Sequence, residues 1–150
     1  MEKRKSRKIQ GISAEIKQVK VKMYKTFKEM PIWREAMSIA EGIFVATESL
    51  PKKEDYGFTS QIRRSALSIS GNIAEAYGRN HTLDKINFYY IARGSLTEVQ
   101  SHLEYGKRVG YISEQRVQEF DEKLVTVYND LNKVITTLKI GKGGYGKNEK

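Results

Sequence analysis

Cysteine is absent from the chain. That excludes a disulfide scaffold and every thiolate zinc site, and it suits a reducing, cytoplasmic setting. Proline is scarce: Pro31 and Pro51 are the only two in 150 residues, so long uninterrupted helices are open to the sequence. No apolar run approaches the roughly 20 residues of a membrane-spanning helix. The charged N-terminus lacks the apolar stretch of a secretory signal, so none is expected. Histidine is limited to His81 and His102, which leaves little for metal or acid–base chemistry. A di-iron bundle needs two Glu-x-x-His pairs and further carboxylates. Here Glu98 and His102 stand four apart, with no second helical histidine, and read as an ordinary polar pair.

Other catalytic signatures fail on context. No Ser, His and Asp arrangement carries the pattern of a nucleophile elbow or a protease. Gly141-Lys-Gly-Gly-Tyr-Gly146 formally matches G-x-G-x-x-G, yet dinucleotide binding needs a strand before it and a helix after it. This one follows a helical segment and stands near the end of the sequence. The sequence therefore assigns no catalytic residue, no metal ligand and no cofactor, and it reads as a non-enzyme.

What is present is a single-domain length and an uneven charge. The formal net charge is +9. Residues 1–26 hold nine Lys/Arg against Glu2 and Glu15, and residues 139–150 hold four lysines against Glu149. Residues 27–138 hold 14 basic and 15 acidic residues. The body is thus nearly neutral, and the excess positive charge belongs to the two ends. Division follows the same lines: a basic N-terminal extension (1–26), a helical body (27–140) and a flexible basic Gly/Lys tail (141–150).

Periodicity defines the body. About 31–48, opened by Pro31 in a first helical turn, carries Trp33, Ala36, Ala40, Ile43, Phe44 and Thr47 on one expected face. About 54–78 repeats Phe58, Ile62, Ala66, Ile69, Ile73 and Ala76 at helical steps. About 82–109, with Thr82 as candidate N-cap and Gly110 as its stop, has Ile86, Tyr89, Leu96, Val99 and Leu103. The last segment starts from Ser113 as N-cap. It alternates steps of 3 and 4 through Val117, Phe120, Leu124, Val127, Leu131, Val134 and Leu138, a coiled-coil-like seam. Four similar helices with short connections predict an all-α, antiparallel up-down four-helix bundle. In the extension, Ile9, Ile12, Ile16, Val19 and Met23 trace a weaker helical stripe, although Val19–Met23 also alternates with period 2.

Several stretches together carry a family resemblance: Phe27-Lys-Glu-Met-Pro-Ile-Trp33-Arg-Glu-Ala36, Tyr56-Gly-Phe-Thr-Ser-Gln61-Ile-Arg-Arg64-Ser-Ala66, Ser68-Ile-Ser-Gly-Asn72-Ile-Ala-Glu75-Ala-Tyr-Gly78-Arg79 and Ile91-Ala-Arg-Gly94-Ser95-Leu-Thr-Glu98. Over about 27–138 the chain resembles the four-helix bundle proteins of the 23S rRNA intervening-sequence family. The resemblance implies a bundle that assembles as a ring, typically a pentamer. It also implies kinship with accessory bundle proteins of diversity-generating retroelements, which meet nucleic acid and a reverse transcriptase. Two departures stand out: Gly71 replaces the usual small residue or proline after Ser70, and residues 1–22 lie outside the match.

Polar stripes supply the candidate sites. Gln61, Arg64, Ser68, Asn72, Glu75 and Arg79 recur at helical spacing, roughly opposite the apolar stripe, and read as a solvated face or as an oligomer interface. Arg93, Thr97, Gln100, Glu104 and Lys107 form a second stripe. Lys3, Arg4, Lys5, Arg7, Lys8, Lys17 and Lys20 in the extension, with Arg63, Arg64, Arg79 and Arg93 in the body, are the candidate contacts to nucleic-acid phosphates. Tyr56, Tyr77, Tyr105, Tyr111 and Tyr128 are mostly explicable as boundary residues with a wet hydroxyl, while Phe88, Tyr89 and Tyr90 point in different directions on one helix and at least one serves the core. The leading expectation is a non-catalytic homo-oligomer that binds RNA or single-stranded DNA through basic arms, beside a reverse transcriptase, a ribosomal RNA element or another protein. The alternatives are a structural adaptor that binds another protein and whose basic tails serve solubility, and, for the amphipathic 9–25 stretch, an anionic membrane surface.

Overall fold

Pro31 opens the first helix of the body, at a position where its missing amide hydrogen has no helical acceptor. The computed structural model describes residues 24–145. Four α-helices account for most of them: α1 (Pro31–Thr47), α2 (Phe58–Gly78), α3 (Thr82–Arg108) and α4 (Glu114–Tyr145). Short 3-10 turns at Phe27–Glu29 and Lys52–Glu54 precede α1 and α2, and no strand occurs among the described residues. α1 packs on α2, α2 on α3, α3 on α4, and α4 returns to α1, so the four enclose one core.

The helix ends are chemically specified. The Glu54 carboxylate accepts from the Phe58 amide at 3.1 Å, satisfying one of the unpaired donors at the start of α2. This moves the start of the second helix from about 54 to Phe58. At the end of α3 the Gly110 amide donates to Lys107 O and the Tyr111 amide to Gly106 O, with Gly110 at φ +80°. That is the paired-bond termination that favours glycine. Ser113 caps α4, its hydroxyl accepting from the Arg116 amide at 3.2 Å. Thr82 does not cap α3. It is already helical, His81 holds the extended cap position without a side-chain bond, and Asp84 supplies the first-turn negative charge.

The apolar stripes of α2 and α3 are buried as expected. α1 is rotated from the expected face: Ile32, Ala36, Ile39, Ile43, Ala46 and Thr47 are buried, Trp33 and Ala40 are half-buried, and Phe44 is exposed. With apolar residues around most of its circumference, α1 takes its facing from its neighbours. α4 keeps its seam through Leu131 and then buries Ile135, leaving Val134 and Leu138 half-buried. A straight helix drifts about 20° per heptad against a strict 3.5-residue repeat, and this shift in register follows from that drift. α4 is helical through Tyr145. No proline interrupts the run, and glycine weakens a helix by only about 1 kcal/mol per residue.

Candidate functional site

Lys3, Arg4, Lys5, Arg7, Lys8, Lys17 and Lys20 lie outside the described residues, as do residues 146–150 of the tail. The body arginines are within them, and they separate into different roles.

Arg63 is tied inward. Its Nε donates to the Thr47 hydroxyl at 2.8 Å, its Nη2 to Phe44 O at 3.3 Å, and its guanidinium lies 4.4 Å from the centre of the Phe44 ring. It satisfies groups at the end of α1 and shields an aromatic ring that the bundle leaves outside. Arg64 crosses to α3 and pairs with Glu98, whose carboxylate also meets His102 Nε2 at 3.3 Å. Arg79 pairs with Glu75 at 2.6 Å along α2 and rests 4.7 Å from the Phe88 ring of α3. Arg93 differs from these three. Its Nη1 donates to Asn132 Oδ1 of α4 at 2.9 Å, and it makes no ion pair with a carboxylate among the described residues.

The stripe from Gln61 to Arg79 lies along the α2–α3 seam, beside the buried stripe and not opposite it. Ser95 donates to the Ser68 hydroxyl at 3.0 Å, and the Asn72 amide donates to Ser68 O and Oγ at 2.7 and 3.0 Å. Gln61 joins through Arg64, which donates to its carbonyl at 3.2 Å. Gln61 with Arg64 and Ser68 with Asn72 thus bond at the α2–α3 seam, whereas Glu75 and Arg79 pair with each other along α2; Ser68 and Asn72 are half-buried and the other four exposed. Next to it, Leu67 (57% exposed) and Ile91 (43%) present apolar side chains to solvent. Gly71 and Gly94 stand in helix interiors, exposed, where an added Cβ would meet nothing within 4 Å.

Sequence reasoning missed the seam between α3 and α4. Tyr90 and Tyr128 flank Arg93, with ring centres 4.9 and 5.9 Å from its guanidinium, and Lys139 Nζ lies 5.3 Å from the Tyr90 ring. The three-residue step from Tyr90 to Arg93 and the four-residue step from Tyr128 to Asn132 were the available signals. Their meeting depends on the register between two helices. Toward the Gly110 end of the same seam the character reverses. An open groove of about 540 Å³ is lined by Glu114, Asp121 and Glu122 with Lys107. Burial, then the neighbouring Glu104 charge, pushes the Asp121 carboxyl above its ordinary range. Hydrogen bonds from Lys107 and Arg108 hold Glu104 below that range.

Two further polar groups organise the body. Lys85 Nζ donates to Ala76 O and Tyr77 O at 3.0 and 3.1 Å, satisfying carbonyls at the end of α2, and burial lowers its pKa. Glu35 of α1 is exposed, yet partial desolvation of its carboxyl and then the neighbouring Asp130 of α4 raise its pKa. Among the described residues no group of three or more His, Cys, Asp and Glu side chains is placed to hold a metal ion. No helix of the described residues is long and apolar enough to cross a membrane.

Fold and surface together define a small all-helical bundle protein whose polar chemistry lies along its inter-helix seams. The chain belongs to the 23S rRNA-intervening sequence protein family, whose model matches residues 28–133. The crystal structure of a protein of unknown function from the S23 ribosomal protein family of Bacteroides thetaiotaomicron is similar. It matches with a TM-score of 0.63 and 23% identity, covering 69% of this chain and 97% of that one. At that identity the likeness shows the fold. No curated protein matches the chain.

Proposed function

We propose that this protein is a non-catalytic helical bundle that assembles with copies of itself and engages RNA or single-stranded DNA through its basic ends. The observation that carries the reading is the charge map: a body of 14 basic and 15 acidic residues between 27 and 138, with the entire positive excess outside it. Clustered Lys/Arg neutralise phosphates and release condensed counterions, which gives affinity without base-sequence preference. Membership of a family described by a ribosomal RNA element agrees with such a partner.

Self-assembly is supported by the outer face of α2 and α3. A glycine in an exposed helix interior weakens that helix by about 1 kcal/mol relative to alanine. Within the protomer nothing at Gly71 or Gly94 requires the missing side chain. Close approach of another copy requires it. The Leu67 and Ile91 side chains and the Arg64–Glu98 pair then supply the apolar and polar parts of one interface. The adaptor reading instead has the bundle bind another protein and assigns the basic ends to solubility.

Deletion of residues 1–22 tests the function directly. Binding of a labelled single-stranded oligonucleotide to the full chain is expected to fall steeply with salt. If about four of the five basic residues in 1–8 engage phosphates, the log–log slope is near −3 per chain, from roughly −0.7 per contact. The truncated chain is expected to stay folded and bind far more weakly. Equal affinity with an unchanged slope overturns the role of the extension, and absence of binding by the full chain at about 50 mM salt leaves the adaptor reading in its place.

A further inference from the structure

The cluster around Arg93 has a composition that the protomer itself does not explain. Arg93 and Lys139 converge on one phenol ring, at 4.9 and 5.3 Å from its centre, and neither pairs with a carboxylate among the described residues. Two cations that share one ring without such a partner gain no ion-pair energy from the described residues. An exposed ring face offers a cation only about 0.5–1 kcal/mol. The arrangement is nonetheless held in place: Tyr90, Arg93, Tyr128 and Asn132 are all half-buried, and Asn132 takes a single Nη1 hydrogen bond. A guanidinium carries five N–H donors in a fixed fork, so most of Arg93's donors remain for a ligand, with the Lys139 ammonium on the same Tyr90 ring. Arg64 and Arg79, by contrast, spend their charge on Glu98 and Glu75.

We propose that Arg93 and Lys139, positioned by Tyr90, Tyr128 and Asn132, form a contact on the body for the phosphates of a single-stranded nucleic acid. The tyrosine rings and Asn132 orient the two cations, and the cations meet adjacent phosphates. The seam also sets a direction. Its other end carries Glu114, Asp121 and Glu122 around the open groove and repels the same backbone. A strand held by the basic ends is thereby confined to the Lys139 end of the α3–α4 seam. This inference rests on the nucleic-acid reading above and adds to it a site with named residues.

The experiment uses the full chain with a labelled single-stranded oligonucleotide over a range of salt, comparing Lys139→Gln, Arg93→Gln and the double variant with wild type. Lys139 is exposed and outside the core, so Lys139→Gln reads the site even if Arg93→Gln perturbs packing. Each lost phosphate contact is expected to make the log–log slope shallower by about 0.7, and the pair by about 1.4, with weakening that is uniform across base sequences. Asn132→Leu, which keeps both charges and removes the orienting acceptor, is expected to weaken binding with less change in slope. Wild-type affinity and slope in both Lys139→Gln and the double variant overturn the site while leaving the nucleic-acid function standing. Failure of the wild-type chain to bind overturns both.

Discussion

The Tyr111 hydroxyl donates to Glu54 Oε1 at 3.0 Å, while Oε2 of the same carboxylate accepts from the Phe58 amide at 3.1 Å. One side chain in the α1–α2 connection thus caps α2 and fastens the α3–α4 connection. Its removal is expected to cost more than an isolated cap. Glu54→Ala should destabilise the fold by about 1 kcal/mol through the lost cap alone, and Glu54→Gln by less, because an amide oxygen still accepts. The hydrogen bond to Glu54, then burial, raises the Tyr111 pKa. The neutral phenol is therefore favoured by the fold, and that contribution is lost as pH rises through the raised value. Isotope-labelled tyrosine NMR should show the Tyr111 titration moving down in Glu54→Gln.

Leu124 is fully buried in the middle of α4. Leu124→Ala should cost on the order of 2–5 kcal/mol in denaturant melts, through lost burial and the cavity left behind. The shift in the α4 seam provides a sharper comparison. Ile135 is 4% exposed whereas Val134 is only half-buried, so Ile135→Ala should destabilise clearly more than Val134→Ala. The reverse order restores the strict heptad.

Gly106 of α3 is buried, and a Cβ there would stand 2.8 Å from the Phe58 ring and 3.2 Å from Ile112. Gly106→Ala should destabilise by about 1–3 kcal/mol, as overpacking does in a close-fitted core. Gly71→Ala and Gly94→Ala should act in the opposite sense on the protomer, raising helix stability by roughly 1 kcal/mol each. If they lie between copies, they should also weaken assembly. Light scattering at micromolar concentration checks this, and a wild-type chain that runs only as a 17.2 kDa monomer removes the assembly proposal.

Glu35 and Asp130 bring two carboxyl groups together across α1 and α4, with Glu35 raised by partial desolvation first and Asp130 second. The folded chain therefore binds more protons than the unfolded chain between the ordinary and the raised carboxylate values. In that window stability falls as pH rises. Glu35→Gln is expected to flatten the slope in urea melts run from acid to neutral pH. The raised Asp121 carboxyl contributes a residual slope of the same sign, so the single variant should not remove it entirely.

The legibility of the sequence varied with how sharply polar residues bounded each apolar stripe. α2 separates Ile62, Ala66, Ile69 and Ile73 with Arg63, Arg64, Ser68 and Asn72, and its buried face was readable. α1 runs Ile32-Trp33 and Ile43-Phe44-Val45-Ala46 with few polar interruptions, so its facing was decided by tertiary contact. The body arginines looked alike in sequence. They came apart only because Thr47, Glu98 and Asn132 sit on other helices at a particular register. Tyr128 reads in sequence as a boundary residue and Tyr90 as one of three aromatics on different faces of one helix, because spacing within one helix says nothing of the neighbour it meets.

The circuit of contacts from α1 to α2, α3, α4 and back to α1 has a kinetic consequence. Three of its four interfaces join helices adjacent in the chain, so they form between residues of modest sequence separation. Such local contacts favour rapid folding, because little loop-closure entropy is lost before packing compensates for it. The α1–α4 interface is the exception, since it joins the first helix of the body to the last. During synthesis the first three helices are able to pair before α4 emerges, and docking of α4 on α1 closes the core last. That closing step brings the Glu35 and Asp130 carboxyls together, so the docking of α4 on α1 carries an acidity dependence of its own.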